Sequence, residues 1–203
     1  MMKKAAMFGL DARIALAIFG ALSVISGAAL YSAIQAAKVQ TVVSFFSETT
    51  KAVEAYALDV GALPPAHATR TQSLAIKELV DSSANGWKGP YVSYETMTCF
   101  SATDACLKHT SITKNDGSVT YSLINPKKHD TGDAYDSNLA NCTSGIDCTL
   151  WVHIEGLNSS LAKAVDQYID GSTDAGEGRV RMPTPSNNST NIFFNTGIPI
   201  EHF

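Results

Sequence analysis

From residue 14 to residue 34 the chain runs for 21 residues without a charged side chain. As a helix rising ~1.5 Å per residue, that run is ~31 Å long, about the thickness of a bilayer's hydrocarbon core. Lys3 and Lys4 precede it. Positive charge before an apolar span keeps that end on the cytoplasmic side, so the sequence predicts that everything after Lys38 lies across the membrane. A secretory signal peptide shares the basic start and has small residues like those at 26–29. Its apolar core, however, is only ~7–15 residues long.

No Pro or Gly closes the run after residue 34. The apolar positions settle into helical spacing instead: Val39, Val42, Val43, Phe46, Val53, Tyr56, Ala57 and Val60 form one stripe at steps of three, four and seven. The first stop signals are Gly61 and the Pro64-Pro65 pair. The sequence therefore predicts one helix over residues 7–60, apolar all round over 14–34 and amphipathic beyond. Asp11 and Arg13 stand at its charged edge. An ionised carboxylate there is costly unless it is paired or lies at the interface, and residues two apart on a helix face different ways.

Residues 61–203 are long enough for a domain with a core of its own. They read as an α+β head with strands at 91–95, 119–124, 149–155, 179–182 and 191–195, each rich in β-branched or aromatic residues. A short helical run is expected at 73–82, and Asn115-Asp116-Gly117 is a hairpin-type turn. A second helix is expected after Asn158 or Ser159, with Leu161, Val165, Tyr168 and Ile169 on one face and Gly171 at its end. The layout predicted is a long N-terminal helix packed on a small, mainly antiparallel sheet.

The formal net charge of -4 and the lack of a Lys/Arg cluster argue against a nucleic-acid partner. His67, His109, His129, His153 and His202 are scattered, and no Gly-x-Ser-x-Gly, P-loop or dinucleotide fingerprint is present, so no catalytic residue is assigned and the chain is not read as an enzyme. Cys99, Cys106, Cys142 and Cys148 all follow the apolar run. Their even number fits two disulfides, with three pairings open; the local choice, Cys99 with Cys106 and Cys142 with Cys148, demands the least chain organisation. Their C-x6-C and C-x5-C spacings do not match zinc knuckles. Two acidic stretches invite calcium, one at residues 130–138 and one beginning at Asp170. The second starts like an EF-hand loop but lacks Gly at its sixth place and Glu at its twelfth, and no ligand set is assigned.

The N-terminal pattern resembles the type IV pilin and pseudopilin family: a short Lys-containing leader, a small residue, an acidic residue five positions into the mature chain, then ~20 apolar residues entering an amphipathic helix. The resemblance implies that a prepilin peptidase removes residues 1–6, cutting between Ala6 and Met7, and that Met7 is N-methylated. Where the family usually has Gly, Phe and Glu, this chain has Ala6, Met7 and Asp11. Asp11 would then pair with the N-terminal amine of a neighbouring subunit in a helical homopolymer, setting its register.

A second likeness lies beyond the helix. Asp59-Val-Gly-Ala-Leu-Pro-Pro followed by Trp87-Lys-Gly89-Pro90-Tyr91 is similar in order to the major pseudopilins of type II secretion, in which a calcium-bearing loop also occurs. The implied function is a structural filament subunit with no required cofactor. It is stored in a bacterial inner membrane with its head in the periplasm, acted on by inner-membrane assembly machinery, and assembled into an extracellular or periplasmic filament. A secretion pseudopilin, or a monomeric membrane-anchored binding module, is the alternative.

Overall fold

The computed structural model describes residues 4–67, 73–99, 105–114, 117–128, 148–182 and 189–200. It divides into two units, Met1–Lys38 and Val39–Phe203.

The first element is helix α1, Lys4–Val60. It ends where the sequence predicts. Gly61 takes φ +77°, a left-handed value that favours glycine, and its amide donates to the Ala57 carbonyl at 2.8 Å.

Within the second unit, six strands follow: β1 Thr96–Thr98, β2 Ala105–Thr113, β3 Val119–Lys128, β4 Cys148–Asn158, β5 Val180–Arg181 and β6 Ser189–Pro199. They form one sheet in the order β1-β2-β3-β4-β6-β5, and every pair is antiparallel. Helix α2, Ser159–Asp170, lies between β4 and β5 in the chain. β4 feeds it directly. Asn158 ends the strand and caps the helix, its side-chain oxygen accepting from the amides of Ser160 and Leu161. Gly171, at φ +72°, closes it.

The predicted stripe is the face α1 packs on the sheet. Val42, Phe46, Val53, Tyr56 and Ala57 are all buried, and Phe45, Thr49 and Ala52 widen the stripe. Phe46 stacks on Phe194 of β6 with ring centres 4.8 Å apart. Phe45 meets His109 of β2 edge-on at 4.2 Å. Burial pushes the His109 imidazole down to about 4, so it sits in the core uncharged. Leu150, Val152 and Ile154 of β4 join this core. The alternate residue Trp151 is buried with Phe193 in a separate cluster, so β4 is covered on both faces.

Three expectations need correction. Residues 91–95 are not a strand, because the Tyr91 amide donates to the Leu79 carbonyl; the ladder starts only at Thr96. Residues 73–82 form no α-helix but a single 3-10 turn, Ile76–Leu79. The amides just before it are already engaged, Leu74 with the Ile124 carbonyl and Ala75 with that of Pro65. β2 lies outside the predicted strands, since Lys108, Thr110 and Ser111 break up its apolar positions. The other four strands are longer or shorter than predicted but in place, and the turn joining β2 to β3 uses Gly117 at φ +81°; Asn115 and Asp116 lie outside the described residues.

Candidate functional site

In the first unit the helix shows its apolar side chains on every side. All residues from Asp11 to Ile34 are exposed, with Phe19 at 71% and Val24 at 74%. The segment Asp11–Val60 is long and apolar enough to cross a membrane. Two of its serines hide their polarity within the helix: Ser23 donates to the Phe19 carbonyl and Ser32 to that of Ala29, both at 2.8 Å. Gly20 and Gly27, seven residues apart and so on one face, have nothing within 4 Å of an added Cβ. Asp11 is exposed and makes no hydrogen bond or ion pair with a described residue. Ala6 and Met7 fall in the first turn of α1.

In the second unit the Trp87–Tyr91 stretch closes over the last turn of α1. Lys88 Nζ donates to Asp59 Oδ1 at 2.8 Å and the Tyr91 hydroxyl to Asp59 Oδ2 at 2.9 Å. The Lys88 amide in turn donates to the Tyr91 oxygen at 3.0 Å. Trp87 Nε1 donates to the Glu78 carbonyl at 3.0 Å, fixing the stretch to the 3-10 turn. Tyr91 meets Trp87 and Tyr56 edge-on, each at 6.0 Å.

Two glycines permit this closure. Gly86, at φ +88°, leaves no room for a Cβ against the Asp59 carbonyl oxygen, and a Cβ at Gly89 would lie 2.6 Å from the Trp87 ring. The Gly89–Pro90 peptide is cis. The hydrogen bond from Lys88, then that from Tyr91, holds the Asp59 carboxyl below the ordinary carboxylate range, and Asp59 raises Lys88. Of the four residues singled out by sequence, Tyr91 reaches Asp59, Trp87 reaches the Glu78 carbonyl, and Gly89 lies between the Trp87 and Tyr91 rings, followed by Pro90. Their shared task is to fasten the helix end to the head.

Cys99 and Cys106 are disulfide-bonded, with Cα atoms 5.9 Å apart, tying the end of β1 to β2. Cys148 is also disulfide-bonded, and Cys142 lies outside the described residues. So does the acidic stretch at 130–138, as do His129 and His202. The stretch from Asp170 is described, and its carboxyls serve the backbone: Asp170 Oδ2 accepts from the Val180 amide at 2.7 Å and Asp174 Oδ1 from that of Gly176 at 3.0 Å. Among the described residues no group of three or more His, Cys, Asp or Glu side chains is placed to hold a metal ion.

A half-open cleft of about 380 Å³ lies beside the packed half of α1 and includes Phe46, Lys51, Glu54, Arg179 and Phe194 in its lining. Arg179 sits over the Phe194 ring at 4.6 Å and donates to the Asn195 carbonyl. Sequence reading missed this cleft, since its walls come from α1, α2 and β6, far apart in the chain. It also missed Asp166, a fully buried carboxyl on α2. The signal was present there: Ala162, Val165, Asp166 and Ile169 recur at steps of three and four.

Comparison of the chain with protein-family models, with curated proteins and with solved structures gives no match in any of the three.

Proposed function

We propose that this chain is the structural subunit of a type IV pilus-like filament, held in a membrane before assembly and polymerised through its N-terminal helix. The observation that carries the reading is the helix that is apolar on every side over residues 14–34 yet continues, in α1, into a stripe packed on its own sheet. Such a surface is unstable in water and needs lipid or other helices around it. A homopolymer supplies the second. Helices of neighbouring copies replace the bilayer, and the small residues around Gly20 and Gly27 permit close approach between them.

Asp11 is then the one carboxylate carried into an apolar environment. It requires a cationic partner, which the α-amino group of a neighbouring copy provides once a prepilin peptidase has cut between Ala6 and Met7. Inner-membrane assembly machinery moves the subunit from lipid to filament, with the head on the periplasmic side.

Within this reading, the Trp87–Tyr91 closure over Asp59 favours a pseudopilus of the type II secretion kind over a surface pilus, because that motif order is the likeness the head carries.

Asp11→Ala tests the reading. Expressed with the assembly machinery, the variant should remain a membrane-held monomer with an intact head, with filament yield at least tenfold below wild type. Wild-type filament yield would refute the charge pairing. A chain that stays monomeric in wild type as well would instead be an anchored binding module.

A further inference from the structure

Asp166 lies on the inward face of α2 between Val165 and the end of the helix, and it is 0% exposed. No N–H or hydroxyl donor reaches either of its carboxyl oxygens; the polar group beside them is the Asp170 carboxyl, to which only a protonated Asp166 can donate. A carboxylate so placed is unstable as an anion and comfortable as a neutral acid.

One turn further on, Asp170 has a different task. Its Oδ2 accepts the Val180 amide at 2.7 Å, and Gly178, at φ +80°, leaves no space for a Cβ against the same carboxyl. Asp170 is therefore the hook by which the start of β5 is fastened to the end of α2. Among the described residues the Met182 amide also donates to the Ala175 carbonyl at 3.1 Å, and β5 itself pairs with β6.

The charges acting on Asp166 come from three places: Asp170 on its own helix, Asp174 in the connection and Arg181 on β5. β4 and β6, the other strands against α2, supply none. Burial first, and then the Asp170 and Asp174 carboxylates, push Asp166 up to about 6, with Arg181 pulling the other way.

We propose that Asp166 is a proton-controlled latch on the α2–β5 connection: neutral, it leaves Asp170 holding the Val180 amide; ionised, it repels that carboxylate and lets residues 171–182 detach from α2. The sign follows from linkage. A carboxyl that prefers its proton in the closed state favours closure fully below its open-state value, and that preference is lost as pH rises from there to its closed-state value. The part released includes the edge strand of the sheet and Arg179, one wall of the cleft beside α1. A pH change at a buried helix face would thereby reach an exposed surface.

Hydrogen–deuterium exchange of the full chain in detergent tests the latch, with a chelator present so that no divalent cation supplies the missing counter-charge. Protection, corrected for intrinsic exchange, is compared at about pH 5 and about pH 7.5. In wild type it should fall over residues 171–182 by about tenfold, because most of the roughly hundredfold set by the gap between about 6 and the ordinary 3.8 is already lost below pH 5. Peptides from the centre of β4 should keep theirs. In Asp166→Asn the fall should vanish; Asp166→Leu, which fills the site without an ionisable group, serves where the Asn variant does not fold. Unchanged wild-type protection between the two pH values would overturn the latch, as would the same fall in wild type and in either variant.

Discussion

Asp59 receives hydrogen bonds from Lys88 and Tyr91 at the point where α1 gives way to the head. An exposed ion pair ordinarily adds little to stability. Here the same carboxylate also anchors a tyrosine packed on Tyr56 and Trp87, so its charge state is coupled to how the head closes over the helix end. Because both donors lower its pKa, Asp59 contributes stability that is present above the ordinary value of 3.8 and lost as pH falls through its folded value. Asp59→Asn should therefore unfold at lower urea at neutral pH, and its stability should change less than that of wild type between about pH 5 and pH 2. Tryptophan fluorescence of the full chain in detergent reads both; superimposable pH profiles would show that the carboxylate is not coupled to folding. Sequence alone picks out Trp87, Gly89, Pro90 and Tyr91 as a unit. It does not reveal the target of that unit, because Asp59 and Lys88 lie 29 residues apart and are joined only by the fold.

Among the elements, β1 is the most dependent on a covalent support. It has three residues, stands at the sheet edge and pairs with β2 alone. The Cys99–Cys106 bond closes a loop of sequence separation 7 directly beyond that pairing. A loop of this size is expected to contribute about 2–3 kcal/mol by limiting the unfolded chain. Replacing both cysteines by Ala should lower the free energy of unfolding by that amount and raise hydrogen exchange in residues 96–98 first; an unchanged denaturation midpoint would contradict it. The same strands mark how far local pattern reaches. β3, β4 and β6 are visible in sequence because they lie in the middle of the sheet and are dense in β-branched and aromatic residues. β2 is not, since Lys108, Thr110 and Ser111 dilute its apolar alternation and its place is secured by neighbours on both sides. Residues 73–82 have a helical look that loses to tertiary hydrogen bonds: once Leu74 and Ala75 bond to Ile124 and Pro65, only the 3-10 turn remains. α2, by contrast, carries its own start and stop in Asn158 and Gly171, and is legible to within a residue.

At the scale of the whole molecule, two kinds of apolar surface share one helix. The stripe between Val39 and Val60 is satisfied within the chain, against Phe194, His109 and the β4 core. The surface over residues 14–34 has no such partner among the described residues and is exposed throughout. Both are legible in sequence from spacing alone, the first as a 3.6-residue period and the second as an unbroken apolar run. What covers the second surface is a property of its surroundings, and the proposed answer is lipid first and other copies afterwards. That account has one covalent signature, because Asp11 can pair with a neighbour's amine only if the chain begins near it. The intact mass of the mature protein, purified from cells that carry the prepilin peptidase, reads this directly. The account predicts a mass lacking residues 1–6 and carrying one added methyl group on Met7; a mass that retains Met1, or one that corresponds to cleavage near Ala29, would contradict it.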